Sequence, residues 1–384
     1  MISNRCARKS LVTNCNSIIS KNYLRFLVDS NEDMNKNIAE KIYIARKIRG
    51  LSLEALSLRM NGMVTKQSIS KYEKGKMQPS SIVLQSIADA LDMPLGYFET
   101  ETISIGSINF RIDAKLPAKS SAQIISYTQD RIEHYLYIEN LLGVYSMVHN
   151  PLCDLIIRSV EDVEAAAVRL RAEWQLGNLP IFSVYEMLEM HGVKIIEFEA
   201  GVQSILGLSS LVNDSIPLIV INLSVNQTTE RKRFTTIHEL GHLFLRFAEE
   251  VDETARERYC HLFAGAVLCP AAIFRTELGA YRKVLTLEEL ISLRCRYGIS
   301  IAAIVHRAKD LGIISVSYYN EIFDKYIHSN LMEEGWGNYP IEEHTDRFDR
   351  LLKRCVAEGY LTVEEAALNV KVKLKEYKCK LTLL

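Results

Sequence analysis

No apolar run in this 384-residue chain approaches the roughly 18 residues that a bilayer span requires. The densest apolar stretch, Pro217-Leu-Ile-Val-Ile221, has the length of a strand. No membrane partner is expected. Paired cysteine motifs are missing too. Eight cysteines are scattered along the chain and none forms a CxxC pair. That argues against a disulfide framework and for a reducing, cytoplasmic setting. The N-terminal stretch has no apolar segment followed by small cleavage residues, so no signal peptide is expected. Residues 1–33 also lack helical periodicity and read as a disordered tail or a mis-called start, with Met34 as the natural one. Net charge is nearly absent, at -1, which excludes a chain basic throughout. The balance is uneven, however. Between Ile38 and Gln78 nine Lys/Arg stand against three Glu, so a polyanionic partner is expected for that part alone.

The basic part is patterned as short helices. Ile38, Ile42, Ala45 and Ile48 recur at helical spacing up to Gly50. Ser52 can cap a second helix with Leu53, Leu56 and Met60 on its apolar face. Asn61-Gly62 reads as a turn, and Thr65 caps TKQSISKYEKG, which stops at Gly75. A fourth helix opens at Pro79-Ser80-Ser81. In the third, Ile69 and Tyr72 face inward, while Thr65, Lys66, Gln67, Ser70 and Lys71 lie at its start and outer face. Gln can bond an adenine edge, Lys a guanine edge, and Ser either. Lys74 and Lys76 stand where phosphate contacts are expected. The run LSLEALSLRM…VTKQSISKYEKGKMQPS resembles the helix-turn-helix of Cro/cI-type (XRE family) repressors. Its family positions are met by Thr65, Ile69, Ser70, Tyr72, Glu73, Gly75 and Pro79, whereas Leu53 stands where that family usually has Gln. The resemblance implies a double-stranded DNA operator as partner. The half-site geometry of such domains allows a homodimer.

A second constellation lies in FTTIHELGHLFL, residues 234–245. Apolar Phe234, Ile237, Leu240, Phe244 and Leu245 wrap most of a helix. His238 and His242, four apart, stack on one face and can bind one tetrahedral zinc. Glu239 then lies beside the metal and suits the catalytic base. HExxH alone also arises in ordinary cores, and a closed site needs a third ligand. Glu257 follows His242 by 15 residues, which leaves room for a loop and a return helix from about Arg256. It fits the third ligand of a gluzincin arrangement. Glu253 is the competitor, expected ahead of the helix. His261 shares a face with Glu257; it can orient a ligand from the second shell, the favoured reading, or coordinate itself.

Three strand patterns precede that helix: Val193–Phe198, Leu206–Leu211 and Leu218–Asn222. A short sheet beside a metal helix can capture an extended peptide along its edge. Pro217–Asn222, Glu230-Arg-Lys-Arg-Phe234, the HELGH at 238–242, Glu257 and Phe263-Ala264…Pro270 together resemble the ImmA/IrrE metallopeptidase family. The likeness extends upstream through Arg169–Trp174, Gly177–Pro180 and Leu188–Gly192. His261 departs from it, since the family often has Asn there. The resemblance implies a Zn2+ endopeptidase whose protein substrate is a repressor or antitoxin. The alternative is a non-enzymatic repressor or antitoxin whose zincin-like domain binds a signal or partner.

The expected fold is mainly α with a small β-sheet (α+β). Its parts are a helix-turn-helix domain at 38–100, a linker and connecting helix at 101–160, a zincin-like domain at 161–320 and a helical C-terminal region at 321–384. Glu333–His344 reads as a linker, followed by helices at about 345–358 and 362–377. Cys153 is read as a buried structural thiol, with a thiolate that blocks the zinc as the sharper alternative.

Overall fold

A computed structural model describes residues 38–39, 41–43, 45–46, 51–91, 93, 95, 98, 118–144, 148–199, 205–223, 227–331 and 333–369. The expected tail at 1–33, Met34, Ile48, Gly50, the linker at 101–117 and the last turns of the final helix lie outside these residues. The fold is mainly helical with one small sheet, as expected for α+β. Among the described residues no single helix is long and apolar enough to cross a membrane. The chain divides into two compact units. One gathers the described residues up to 98 with 130–144 and 346–369; the other holds 118–129 and 148–345.

In the first unit, residues 38–46 are helical where described, and three helices follow: α1 (Leu53–Arg59), α2 (Lys66–Glu73) and α3 (Ser81–Ala90). Each starts on a side-chain cap. Ser52, Thr65 and Ser80 accept from the N–H three residues on, satisfying a donor that the helix start leaves orphaned. Ile42, Leu56, Ile69, Ile87 and Leu91 form a core sealed from water. Arg46 and Glu73 clamp it: Nε and Nη2 of the guanidinium meet the two carboxylate oxygens at 2.5 and 2.7 Å, both side chains being buried. Glu73, a residue of the repressor-like motif, is thus a structural brace. Helix α4 (Ala118–Leu142) divides between the two units. Its later turns receive the chain's last described helices, numbered α13 (Arg347–Ala357) and α14 (Val363–Asn369) in chain order. Arg347 of α13 bonds Tyr135 and Glu139, and Phe348 lies against the Tyr135 ring.

The second unit is built on α5 (Val160–Glu173), α6 (Val184–Met190), β1 (Lys194–Phe198), β2 (Gly207–Val212), β3 (Ile216–Asn222), α7 (Thr229–Phe244) and α8 (Glu253–Leu268). Five further helices complete it: α9 (Ala271–Leu278), α10 (Leu287–Tyr297), α11 (Ile301–Asp310), α12 (Val316–Ile322) and a π-turn at Phe323–Ile327. The sheet order is β1-β3-β2, with β1 parallel and β2 antiparallel to β3. β3 is buried at every position, as its unbroken apolar run requires of a central strand. Asn213 and Asp214, both at positive φ, make the tight turn from β2 to β3, closed by Ser215 N–H on the Val212 carbonyl.

Buried arginines tie the unit together. Arg171 donates to the carbonyls of Gly177, Leu179 and Val267, which explains the RLRAEW…GNLP motif. Arg233 donates to the Ile181, Phe182 and Gly298 carbonyls and pairs with Glu343. Arg294 bridges Glu230 and Glu333. The stretch Glu333–His344, read from sequence as a linker, is therefore part of this unit. Glu343 accepts from Val184 and Tyr185 N–H at the start of α6, and Glu333 from Ile301 and Ala302 N–H at the start of α11. Each carboxylate neutralises a helix N-terminus and a guanidinium at once. These contacts reach past residue 320, where the sequence reading ended this domain.

Candidate metal centre

Helix α7 starts on Thr228, which caps Arg231 N–H, and runs its apolar side along β2, β3 and α8. Two glycines permit that close packing. A Cβ on Gly207 would meet Thr235 Cγ2 at 2.8 Å and Glu239 Cγ at 3.2 Å; one on Gly241 would meet Cys260 Sγ at 3.2 Å. The glycine inside HELGH thus lets α8 approach α7. Helix α8 begins at Glu253 on an Asp252 cap, a turn earlier than the sequence suggests.

This approach brings three donors together. His238 Nε2 and His242 Nε2 are 3.0 Å apart. Glu257 presents Oε2 at 3.3 Å to the first and Oε1 at 3.2 Å to the second. A tetrahedral zinc with bonds of about 2.0–2.2 Å holds its ligands roughly 3.3–3.6 Å apart. The separations, two of which end on different oxygens of the Glu257 carboxylate, lie near that range, so the donor set fits the ion. Glu253, the competing ligand, lines the same cleft but pairs with Arg256 at 3.5 Å, and two-thirds of its side chain is exposed. His261 places a donor atom within 4.8 Å of those of His238 and Glu257. Its Nδ1 bonds the backbone carbonyl of Glu257.

Glu239 is nine-tenths buried beside this set, and Ser209 Oγ donates to its Oε2 at 2.6 Å. Burial pushes its carboxyl above the ordinary range, with Ser209 and His238 opposing and Glu257 adding to the rise. Glu257 goes the other way: its bond to His238 holds it below the ordinary range. Burial lowers His261. All of these side chains line one cleft of about 1440 Å³, as does β2 from Gly207 to Ser209. Five of the chain's nine histidines line it, which makes it the centre of imidazole chemistry in the protein. Cys153 is half-buried and does not line it.

The free edge of β2 can be worked out from its register. Asn222 N–H bonds the Leu206 carbonyl, so 206 and 222 form a hydrogen-bonded pair, and the pairs 208/220 and 210/218 follow. Gly207, Ser209 and Leu211 then aim their N–H and C=O groups away from β3. No described strand lies on that side.

In the first unit, Gln67, Lys71, Lys74 and Lys76 are exposed and Ser70 is half-buried. Lys66 is also exposed but pairs with Glu54 at 3.2 Å. Thr65 spends its hydroxyl on the cap, accepting from Ser68 N–H. Of the residues expected to face DNA, Gln67 and Lys71 are thus exposed on α2 itself.

Two family models match the chain. Residues 42–98 match a helix-turn-helix domain, and residues 188–309 match the IrrE N-terminal-like domain, a peptidase family. The chain joins a helix-turn-helix domain to an IrrE-type peptidase domain. It is thus a regulator of DNA-binding type with a peptidase-type domain. No curated protein matches it. A crystal structure of Bacillus thuringiensis PlcR in complex with the peptide PapR7 and DNA covers 90% of this chain and 91% of its own at 12% identity. Its TM-score is 0.17, too low to carry any argument.

Within the IrrE-type domain, the sequence reading missed Ser209, whose hydroxyl meets Glu239, and Cys260, whose Sγ lies 3.6 Å from His242 Nδ1. Nothing local marks either one: Ser209 is one serine in a strand and Cys260 one apolar position on a helix. His238 Nδ1 is buried without a hydrogen-bond partner.

Proposed function

We propose that this regulator binds an operator through Gln67, Lys71 and the surrounding Thr65, Lys66, Ser70, Lys74 and Lys76, and that its IrrE-type domain hydrolyses a peptide bond in a partner protein. The observation that carries the reading is the convergence of His238, His242 and Glu257 to within 3.3 Å of one another beside buried Glu239. Two imidazoles and a carboxylate are a donor set suited to zinc, which when bound would polarise a peptide carbonyl and activate water. Glu239 takes the proton of the attacking water and returns it to the leaving amine. Ser209 fixes one carboxylate oxygen, leaving Oε1 to move the proton. The outward N–H and C=O groups of Gly207, Ser209 and Leu211 offer an extended substrate a strand to pair with, next to the reacting groups.

The resemblance to ImmA/IrrE proteins makes a repressor or antitoxin the expected substrate, and the half-site geometry of helix-turn-helix domains allows a homodimer on DNA. The five described cysteines form no disulfide with one another, in keeping with a reducing, cytoplasmic setting. The test is Glu239→Gln. It should keep metal and operator binding and abolish both cleavage and regulation. Full regulation by that variant sinks the peptidase reading and leaves a regulator that uses the domain to bind a signal or partner.

A further inference from the structure

Helices α7 and α8 each present two potential donors one turn apart: His238 and His242 on one, Glu257 and His261 on the other. Three of them form the close set already described. The fourth, His261, has an unusual combination of features. Its ring crosses that of His238 at 80° with centroids 4.3 Å apart, and that of Phe234 at 62° with centroids 5.9 Å apart. Its Nδ1 bonds the Glu257 carbonyl at 3.0 Å. A carbonyl only accepts, so Nδ1 carries the proton and the lone pair of the neutral ring sits on Nε2. Histidines that ligate metals characteristically give their other nitrogen to such a carbonyl. A lone pair on Nε2 cannot donate to a substrate oxyanion, but it can bind a cation. The side chain is open to the cleft, and its donor forms with those of His238 and Glu257 a set whose atoms all lie within 4.8 Å of one another; His242 is outside that set, so the ring has to move toward the ion to complete four ligands.

We infer that His261 is a fourth protein ligand for the metal, and a displaceable one. The inference rests on the metal reading above and adds regulation to it. Sites that do chemistry keep one position open, whereas sites with four protein ligands are closed. With His261 in place the peptidase is latent. Its ring is held by a single backbone hydrogen bond and by ring contacts, so a substrate entering the cleft can displace it, while His238, His242 and Glu257 stay locked between two packed helices.

The test uses the full chain loaded with one zinc, with X-ray absorption at the zinc edge to count imidazoles. The expected result is three imidazoles in the wild type and two in His261→Ala. A second readout is acetohydroxamate binding to the cobalt-substituted protein, followed by its visible spectrum. It should be at least about tenfold tighter in His261→Ala, where the position is open. Two imidazoles in both proteins, with equal hydroxamate affinity, overturn the fourth ligand while leaving the three-ligand site intact. Wild-type protein that takes up no zinc overturns the metal reading itself, and this inference with it. Both readouts are independent of catalytic turnover.

Discussion

Glu343→Gln should destabilise the peptidase-type unit although residue 343 is 101 positions away from His242 in sequence. The glutamate is buried with Arg233, and neither side chain is exposed at all. Its two oxygens accept from Arg233 Nη1, Ser183 Oγ, Val184 N–H and Tyr185 N–H, all within 3.1 Å. Glutamine keeps the shape, removes the charge and turns an NH₂ group toward donors. Breaking a buried pair by removing one partner costs about 3–5 kcal/mol. Arg233 retains four carbonyl partners and the Tyr339 ring at 4.3 Å, so the lower end applies, about 3 kcal/mol. For a unit of roughly 200 residues that lowers Tm by roughly 6–12 °C. Both tryptophans of the chain, Trp174 and Trp336, lie in this unit, so their fluorescence reports its unfolding selectively. Arg233→Met combined with Glu343→Leu removes both charges and should cost less than Glu343→Gln alone. A shift below about 2 °C for the single variant would refute the clamp and, with it, the inclusion of residues 333–344 in this unit.

Glu257→Gln should cut bound zinc from about one per chain to a small fraction, by elemental analysis of protein purified without chelator. Gly207→Ala should lower stability by about 1–3 kcal/mol through overpacking against Thr235 and Glu239, and should slow peptide cleavage while zinc content holds. Gln67→Ala should weaken operator binding about 10–100-fold and relax its base preference, whereas Lys74→Ala should weaken all sequences alike and flatten the salt dependence, both read by titration at several salt concentrations. Acid should destabilise the second unit: burial alone would raise Glu230, but its bonds to Arg294 and Tyr339 N–H hold it below the ordinary range. Its contribution is complete above about pH 4.3 and is lost as pH falls through the depressed value, so Arg294→Met should reduce the acid sensitivity seen in tryptophan fluorescence.

Much of the site is legible in sequence because it is local. The i, i+4 spacing puts His238 and His242 on one face whatever surrounds them, and the Ser52 and Thr65 caps act within one turn. The three strands likewise show as short apolar runs between turn residues. Long-range pairing is what sequence hides. Ser209 becomes a partner of Glu239 only because Gly207 lets β2 touch α7. Glu333 and Glu343 lie in a polar stretch without periodicity, which reads as a linker, yet both are buried because helix starts and guanidinium groups from distant segments surround them. Glu73 shows the converse: it stands in a recognised motif, but its role beside Arg46 is to brace the core.

The division of the chain also bears on how variants are read. The unit that contains the helix-turn-helix domain takes in the last described helices as well, through Arg347, Phe348, Tyr135 and Glu139. In chain order the peptidase-type unit is an insertion, interrupting the DNA-binding unit and returning the chain to it. A truncation at the far C-terminal end therefore injures the DNA-binding end first. Loss of operator binding in such a truncation is damage to one fold, and says nothing of signalling between two.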